Sequence, residues 1–275
     1  MSLERAAATT DLIEKQLRAR LERDAKRPFV VGLSGAQGSG KTTIAAVLTQ
    51  RLEAGGWTTA TVALDDLYLP RAAREFLART IHPLLATRGV PGTHDIALGK
   101  AVLDALGRPG VVALPRFDKA KDTGMPRGAW ETVAAPVEIV ILEGWCVGAR
   151  PQTEAALAAP VNSLEHDEDR DGTWRRWVNA ELGGSYQALF ARIDMLVLLA
   201  APGFEVVSAW RREQEHALRK ALKNEGKDAC GTLDDRQIER FILYYQRLTE
   251  HILAEMPPRT DLVIHLDGLR RPIPG

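Results

Sequence analysis

The stretch "GAQGSGKT", residues 35–42, restricts what this chain can fold into more than any other eight residues. It fits the pattern G-x-x-x-x-G-K-S/T without exception. Glycines let backbone N–H groups curl around phosphate oxygens, and a following helix aims its positive end at the same point. The required context is present. An apolar run, "FVVGLS" (29–34), leads in, and 41–54 reads as a helix ended by Gly55 and Gly56. A strand, a phosphate cradle and a helix are therefore expected in that order. The nucleotide contacts expected from the pattern are Gly35, Ala36, Gln37, Gly38, Ser39, Gly40, Lys41, Thr42 and Thr43. Lys41 would reach the β- and γ-phosphates, and the Thr42 hydroxyl would serve Mg²⁺.

Four further apolar runs follow, at 58–64, 137–144, 193–200 and 261–267, with helical patterns at 95–106, 173–191, 204–223 and 234–255. The runs are nearly continuous in apolar residues, as suits parallel strands covered on both faces. Strands alternating with helices predict an α/β, three-layer P-loop fold with a central parallel sheet. At 275 residues, one domain is expected over 1–275, opened by an N-terminal helix in 1–27. Formal charge is zero, so nothing overall points to nucleic acid or a membrane surface. Two cysteines, Cys146 and Cys230, are too few for a disulfide framework and suit a reduced cytosol. Cys146 reads as a small buried residue. The oligomeric state is not legible.

A phosphate cradle alone does not choose between a kinase, a GTPase and an ATP-driven machine. A guanine-reading Asn-Lys-x-Asp is missing where it belongs, at "LLAAPGFE", and no transporter-type signature precedes a second acidic strand end. The acids decide more. "VALDDLYLP" (62–70) ends a strand in Asp65 and Asp66, 24 and 25 residues after Lys41. Phosphoryl transfer to an alcohol needs a carboxylate to orient the hydroxyl and accept its proton. Adjacent residues at a strand end point to opposite sides, so one of the pair is expected to face the phosphates. "VILEGW" places Glu143 at another strand end, where a carboxylate holds Mg²⁺ directly or through water. Gly144 would allow a ligand to approach closely.

Between these strand ends lies a segment rich in Pro, Gly and charge. Residues 71–127 carry ten Lys/Arg against five Asp/Glu. This basic insertion is expected on the substrate side. The acidic stretch "LEHDEDRDG" (164–172) reads as a solvated loop, and Trp174, Trp177, Phe190, Phe241, Tyr244 and Tyr245 as core and helix contacts. Residues 204–227 read as a basic lid containing Arg211, Arg212, Arg219, Lys220 and Lys223. Arg211 or Arg212 is the expected charge-stabilising residue.

"GLSGAQGSGKTT", "LDDLY", "HPLLATRGVPGTHD", "PRFDK" and "ILEGWCVG", in this order, resemble the P-loop kinases of the D-glycerate 3-kinase type. That group belongs to the broader phosphoribulokinase, uridine kinase and pantothenate kinase class. The resemblance spans about 29–267 and implies ATP with Mg²⁺ and phosphoryl transfer to a small hydroxyl substrate, D-glycerate to 3-phosphoglycerate. It implies Asp65 as the base, also near the metal with Thr42 and Glu143, and turns Asp66 and Tyr68 toward the acceptor. The family often has Phe where this chain has Leu67. A buried substrate carboxylate needs cationic partners. Arg88 or Arg116 would clamp it, His94 or Asp95 would bond a hydroxyl, and Lys119 lies in the same segments. Two alternatives remain open: a kinase for another small hydroxylated metabolite or a nucleoside, and an ATP-binding regulatory protein with little turnover.

Overall fold

Each of the five apolar runs becomes a strand whose successive side chains enter opposite faces of one sheet. The structure is a computed structural model and describes residues 3–224 and 234–273. In chain order the elements are α1 (Leu3–Leu21), β1 (Phe29–Gly35), α2 (Lys41–Ala54), β2 (Thr59–Ala63), α3 (Arg71–Thr80), α4 (Ile96–Leu106), β3 (Gly110–Leu114), β4 (Phe117–Asp118), β5 (Thr123–Gly124), β6 (Glu131–Ala135) and β7 (Ile139–Gly144). Then come α5 (Ser163–Glu168), α6 (Thr173–Glu181), α7 (Gln187–Phe190), β8 (Met195–Ala200), α8 (Glu205–Asn224), α9 (Asp235–Glu255) and β9 (Leu262–His265). The main sheet runs β2-β7-β1-β8-β9, all parallel.

Alternation along the strands divides the core in two. Val31, Leu33, Ile139, Ile141, Val197 and Leu199 pack with Ile13, Leu17, Ile44 and Leu48 of α1 and α2. Val30, Val140, Leu142, Leu196 and Leu198 face the other way, onto Val102 and Leu103 of α4 and Leu248 and Ile252 of α9. Helices on both faces of a parallel sheet make three layers. The register aligns three carboxyl ends: Leu33 of β1 and Ala63 of β2 both flank Glu143 of β7. The cradle after β1, the acids after β2 and Glu143 thus meet at one edge, where ligands bind in such sheets.

The sequence reading departs from the structure in several places. The span 173–191 is two helices, α6 and α7, separated by a kink at Gly184, because Gly183 and Gly184 weaken the helical ladder. The insertion 71–127 holds α3, the antiparallel β4–β5 pair and β3, which pairs antiparallel with β6 just beyond it, all concealed by its Pro and Gly content. The stretch 164–172 is no solvated loop. Glu165 and Asp169 are fully buried, paired with Arg247 at 2.6 Å and Arg175 at 2.9 Å. The Cβ side of Gly144 is packed by Leu64 and Val147, each within 3 Å of where a Cβ would lie. Residues 1–2 of the expected N-terminal helix, 225–227 of the expected lid, the Lys223 side chain and Cys230 lie outside the described residues. No helix among the described residues is long and apolar enough to cross a membrane.

Candidate active site

The cradle is built by backbone. Gly38 (φ 74°) and Gly40 (φ 96°) sit in the left-handed region, which other residues adopt only at a cost, and Gly40 opens directly into α2. Lys41 bends back so that its Nζ donates to the Ala36 carbonyl at 3.1 Å. Burial pushes its ammonium below the ordinary lysine value, opposed by Glu143 and Asp65. The Oε1 of Gln37 and the Oγ of Ser39 are buried without a hydrogen-bond partner. Unsatisfied buried polar atoms in a loop that lines a cavity mark a place built for a ligand.

Thr42 donates from Oγ1 to Glu143 Oε1 at 2.8 Å. Burial raises the Glu143 carboxyl above its ordinary value, against the pull of Lys41. A hydroxyl and a carboxylate in contact beside a phosphate cradle are hard oxygen donors, and they fit Mg²⁺. The acids after β2 lie in a short 3₁₀ turn, Leu64–Leu67, rather than on the strand. That turn separates them. Asp65 faces the cleft, accepting from Tyr68 Oη at 2.8 Å and from Lys119 Nζ at 2.5 Å. Burial pushes its carboxyl up, but Lys119, Tyr68 and Lys41 together outweigh that and hold it well below the usual carboxylate range. Asp66 turns away, accepting from the Phe117 amide at 3.0 Å and facing Arg116 at 3.5 Å.

The cleft these groups enclose measures about 300 Å³. Arg88 lines it, its Nη1 on Asp122 at 2.5 Å and its Nη2 on the Lys119 carbonyl at 3.0 Å. Asp122 itself sits on buried Arg74 at 2.6 Å, so the β4–β5 turn is anchored from below. Partial desolvation pushes the half-exposed Lys119 ammonium down, but Asp65 and Glu143 outweigh it and hold it above the ordinary lysine value. Arg211 enters from α8, paired with Glu215 at 2.7 Å and lying over the Phe241 ring at 5.3 Å.

No family model matches the chain. It is 34% identical over 261 residues to the uncharacterized kinase mug58 of Schizosaccharomyces pombe, covering 90% of this chain and 91% of that protein. It is 28% identical over 264 residues to the chloroplastic D-glycerate 3-kinase of Arabidopsis thaliana, covering 90% of this chain but 54% of that longer protein. The solved structure of D-glycerate 3-kinase from Cryptococcus neoformans superposes with a TM-score of 0.76 at 26% identity, covering 98% and 97% of the two chains. The chain belongs to the D-glycerate 3-kinase-like P-loop kinases.

In this kinase the structure brings Gln37, Gly38, Gly40, Lys41, Thr42, Thr43, Asp65, Tyr68, Arg88, Lys119, Glu143 and Arg211 to one cleft. Gly35, Ala36 and Ser39 stand behind the cradle wall. Five other candidates stand off it, beginning with Asp66, which the 3₁₀ turn directs to Phe117 and Arg116 rather than to the acceptor side. Arg116 is held by Asp66 and Glu131. Asp95 caps α4, accepting from the Leu98 amide at 2.8 Å. Arg212 bonds Ser208 on its own helix. His94 is buried behind Tyr68, stacked at 4.7 Å, with Nδ1 on Tyr186 Oη at 2.6 Å. Burial lowers its pKa to about 4, so the ring is neutral.

Tyr244 and Tyr245 are core residues and Phe241 packs against them, as expected, but two of the three also reach the cleft. Phe241 and Tyr245 of α9 line the cleft, as does Trp145, whereas Tyr244 points to the core. Helical spacing identifies an apolar face but not which end of it opens onto a ligand. Arg270 and Glu213 also line the cleft. Arg270 follows the last strand by five residues in a segment with no recognisable motif, and no sequence signal pointed to it. Cys146 is buried, its thiol pushed upward by burial, and is no nucleophile candidate.

Proposed function

We propose that this kinase transfers the γ-phosphoryl group of ATP to a hydroxyl of D-glycerate, giving 3-phosphoglycerate and ADP. The observation that carries the acceptor assignment is Arg88. Its guanidinium lines the cleft near Asp65, fixed by Asp122 and the Lys119 carbonyl, with two of its five N–H groups occupied by those bonds. The remaining edge suits a substrate carboxylate. The relatives named above include D-glycerate 3-kinases, which supports the same acceptor.

The chemistry follows from placement. The acceptor oxygen attacks the γ-phosphorus as the bond to the β-bridging oxygen breaks, and Asp65 takes the hydroxyl proton. A carboxylate held this low is a weak base, so its first task is to orient the hydroxyl. The proton moves late, as the new P–O bond acidifies it. Asp65 can accept this extra bond because two carboxylate oxygens offer about four acceptor positions. Lys41 and Arg211 balance charge on the phosphates. Thr42 and Glu143 would hold Mg²⁺, which when bound neutralises phosphate charge. All 275 residues are read as one kinase domain, with 71–127 serving the acceptor and α8 the lid. The test is ADP release from Mg·ATP by purified protein with and without D-glycerate, followed by a panel of sugars, hydroxy acids and nucleosides. Strong dependence on D-glycerate is expected; nucleotide binding without stimulation by it would remove the acceptor assignment.

A further inference from the structure

Beyond the acceptor, the nucleotide side contains a joint that the family motifs do not include. The chain after β9 turns at Asp267, whose carbonyl accepts from the Arg270 amide at 2.9 Å. Arg270 stands at φ 63°, in the left-handed region, with 3% of its surface exposed. A non-glycine residue persists there only where its surroundings fix it. Its side chain shows what does so. The Nε donates to the Gly38 carbonyl of the cradle at 2.5 Å, the Nη1 pairs with Glu213 of α8 at 2.7 Å, and the Nη2 reaches the Trp210 carbonyl at 3.5 Å. The guanidinium lies over the Trp210 indole at 5.2 Å, and the indole Nε1 donates to the Gly268 carbonyl at 2.8 Å.

The same helix touches the cradle directly. A Cβ on Gly38 would lie 2.7 Å from Trp210 Cβ and 2.9 Å from its carbonyl carbon. Residue 38 is therefore the point where α8 rests on the phosphate loop, and Arg270 bolts the two together. The next residue along α8 is Arg211, which enters the cleft. Arg211 therefore lies between Trp210 and Glu213, all three within one turn of α8.

We infer that Arg270 is a positioning residue: it fixes α8 against the phosphate loop so that Arg211 stands in register over the nucleotide phosphates. This goes beyond the D-glycerate reading and does not depend on which acceptor is used. A static filler of the C-terminal turn would need no contact with the cradle and none with α8. Arg270 makes both, with a fork of donors that lysine cannot reproduce.

The test is a double-mutant cycle read as the Kd of a Mg²⁺-bound non-hydrolysable ATP analogue by calorimetry, with Tm measured alongside. R270M in the wild-type background is expected to weaken binding about tenfold, the scale of charge-assisted hydrogen bonds. In an R211M background the same change is expected to cost less than about twofold, because the group it positions is gone. Equal losses in both backgrounds, or a lowered Tm with unchanged Kd, would overturn the inference. Should R270M fail to fold, E213Q decides. Its carboxylate is largely exposed, and it is expected to weaken binding about threefold in wild type and not at all beside R211M.

Discussion

Two clusters of acidic and basic side chains border pockets that share Trp145, and they are finished to different degrees. Behind the cleft, Arg175 and Arg247 each make four hydrogen bonds from their five N–H groups. Arg175 gives hydrogen bonds to Asp169 and to the carbonyls of Leu157, Ala158 and Asp169. Arg247 gives its own to Glu165 and to the carbonyls of Ala156 and Ala159. In the cleft, Lys41 has settled on one carbonyl, Gln37 keeps a buried oxygen without a partner, as does Ser39 behind the cradle wall, and Arg88 keeps an edge open. Charge completed by the protein is architecture; charge left incomplete beside a cavity is a site.

The sharpest way to break this comparison is to neutralise one acid from each cluster. Asp65→Asn is expected to cut kcat by about 10²–10⁴-fold while leaving ATP affinity within a few-fold. Its Tm should hold, because Lys119 is half open and can turn to water. Steady-state kinetics and nucleotide titration check both halves. Turnover close to wild type would remove Asp65 from the chemistry and favour a nucleotide-binding regulator.

Asp169→Asn should do the reverse. It leaves Arg175 buried against a neutral amide, and breaking such a pair costs about 3–5 kcal/mol. Denaturant midpoints should fall accordingly, with kcat and KM measured at low temperature little changed. A large kinetic effect without loss of stability would make the rear cluster part of the site.

How much of this was legible in sequence follows from how each part is built. The cradle is eight consecutive residues whose task is done by backbone, so spacing alone displays it. Asp65 and Glu143 show because strand ends converge on one edge of a parallel sheet. The five strands show because burial on both faces leaves a continuous apolar run. Ion pairs are different. Glu165 and Arg247 are 82 residues apart, Arg74 and Asp122 are 48 apart, and Arg270 meets Gly38 across 232. No local pattern records such a partnership, so "LEHDEDRDG" looked solvated and Arg270 was invisible. Arg88 and Arg116 looked alike for the same reason.

A smaller effect sharpens the boundary between the clusters. His94 is buried behind Tyr68, facing Tyr186, with the Asp65 charge nearby. Its pKa is lowered to about 4 in the folded protein, against about 6.5 when unfolded. Between those values the unfolded chain binds a proton that the folded chain does not, so stability rises with pH there and falls on acidification. The stabilisation is complete above pH 6.5, and the loss reaches on the order of 3 kcal/mol by pH 4. Comparing Tm against pH for wild type and His94→Gln isolates this part of the slope. Parallel curves would show that His94 does not resist protonation.

The last contrast lies within the acceptor side, between two arginines equivalent in sequence. Arg88 borders the cleft with an unused donor edge, whereas Arg116 is spent on Asp66, Glu131 and the Pro115 carbonyl. Arg88→Ala is therefore expected to raise KM for an anionic acceptor roughly 10–100-fold, the scale of a charged hydrogen-bonded contact, with a smaller change in kcat. Arg116→Ala should stay within about threefold, since its partners Asp66 and Glu131 remain partly open to water. Asp122 keeps buried Arg74 in either variant, so the turn bearing Lys119 stays anchored and the two measurements are comparable. If the ranking came out reversed, the carboxylate would bind beside Asp66 rather than Asp65. The hydroxyl to be phosphorylated would then have to reach across the 3₁₀ turn that separates the two acids.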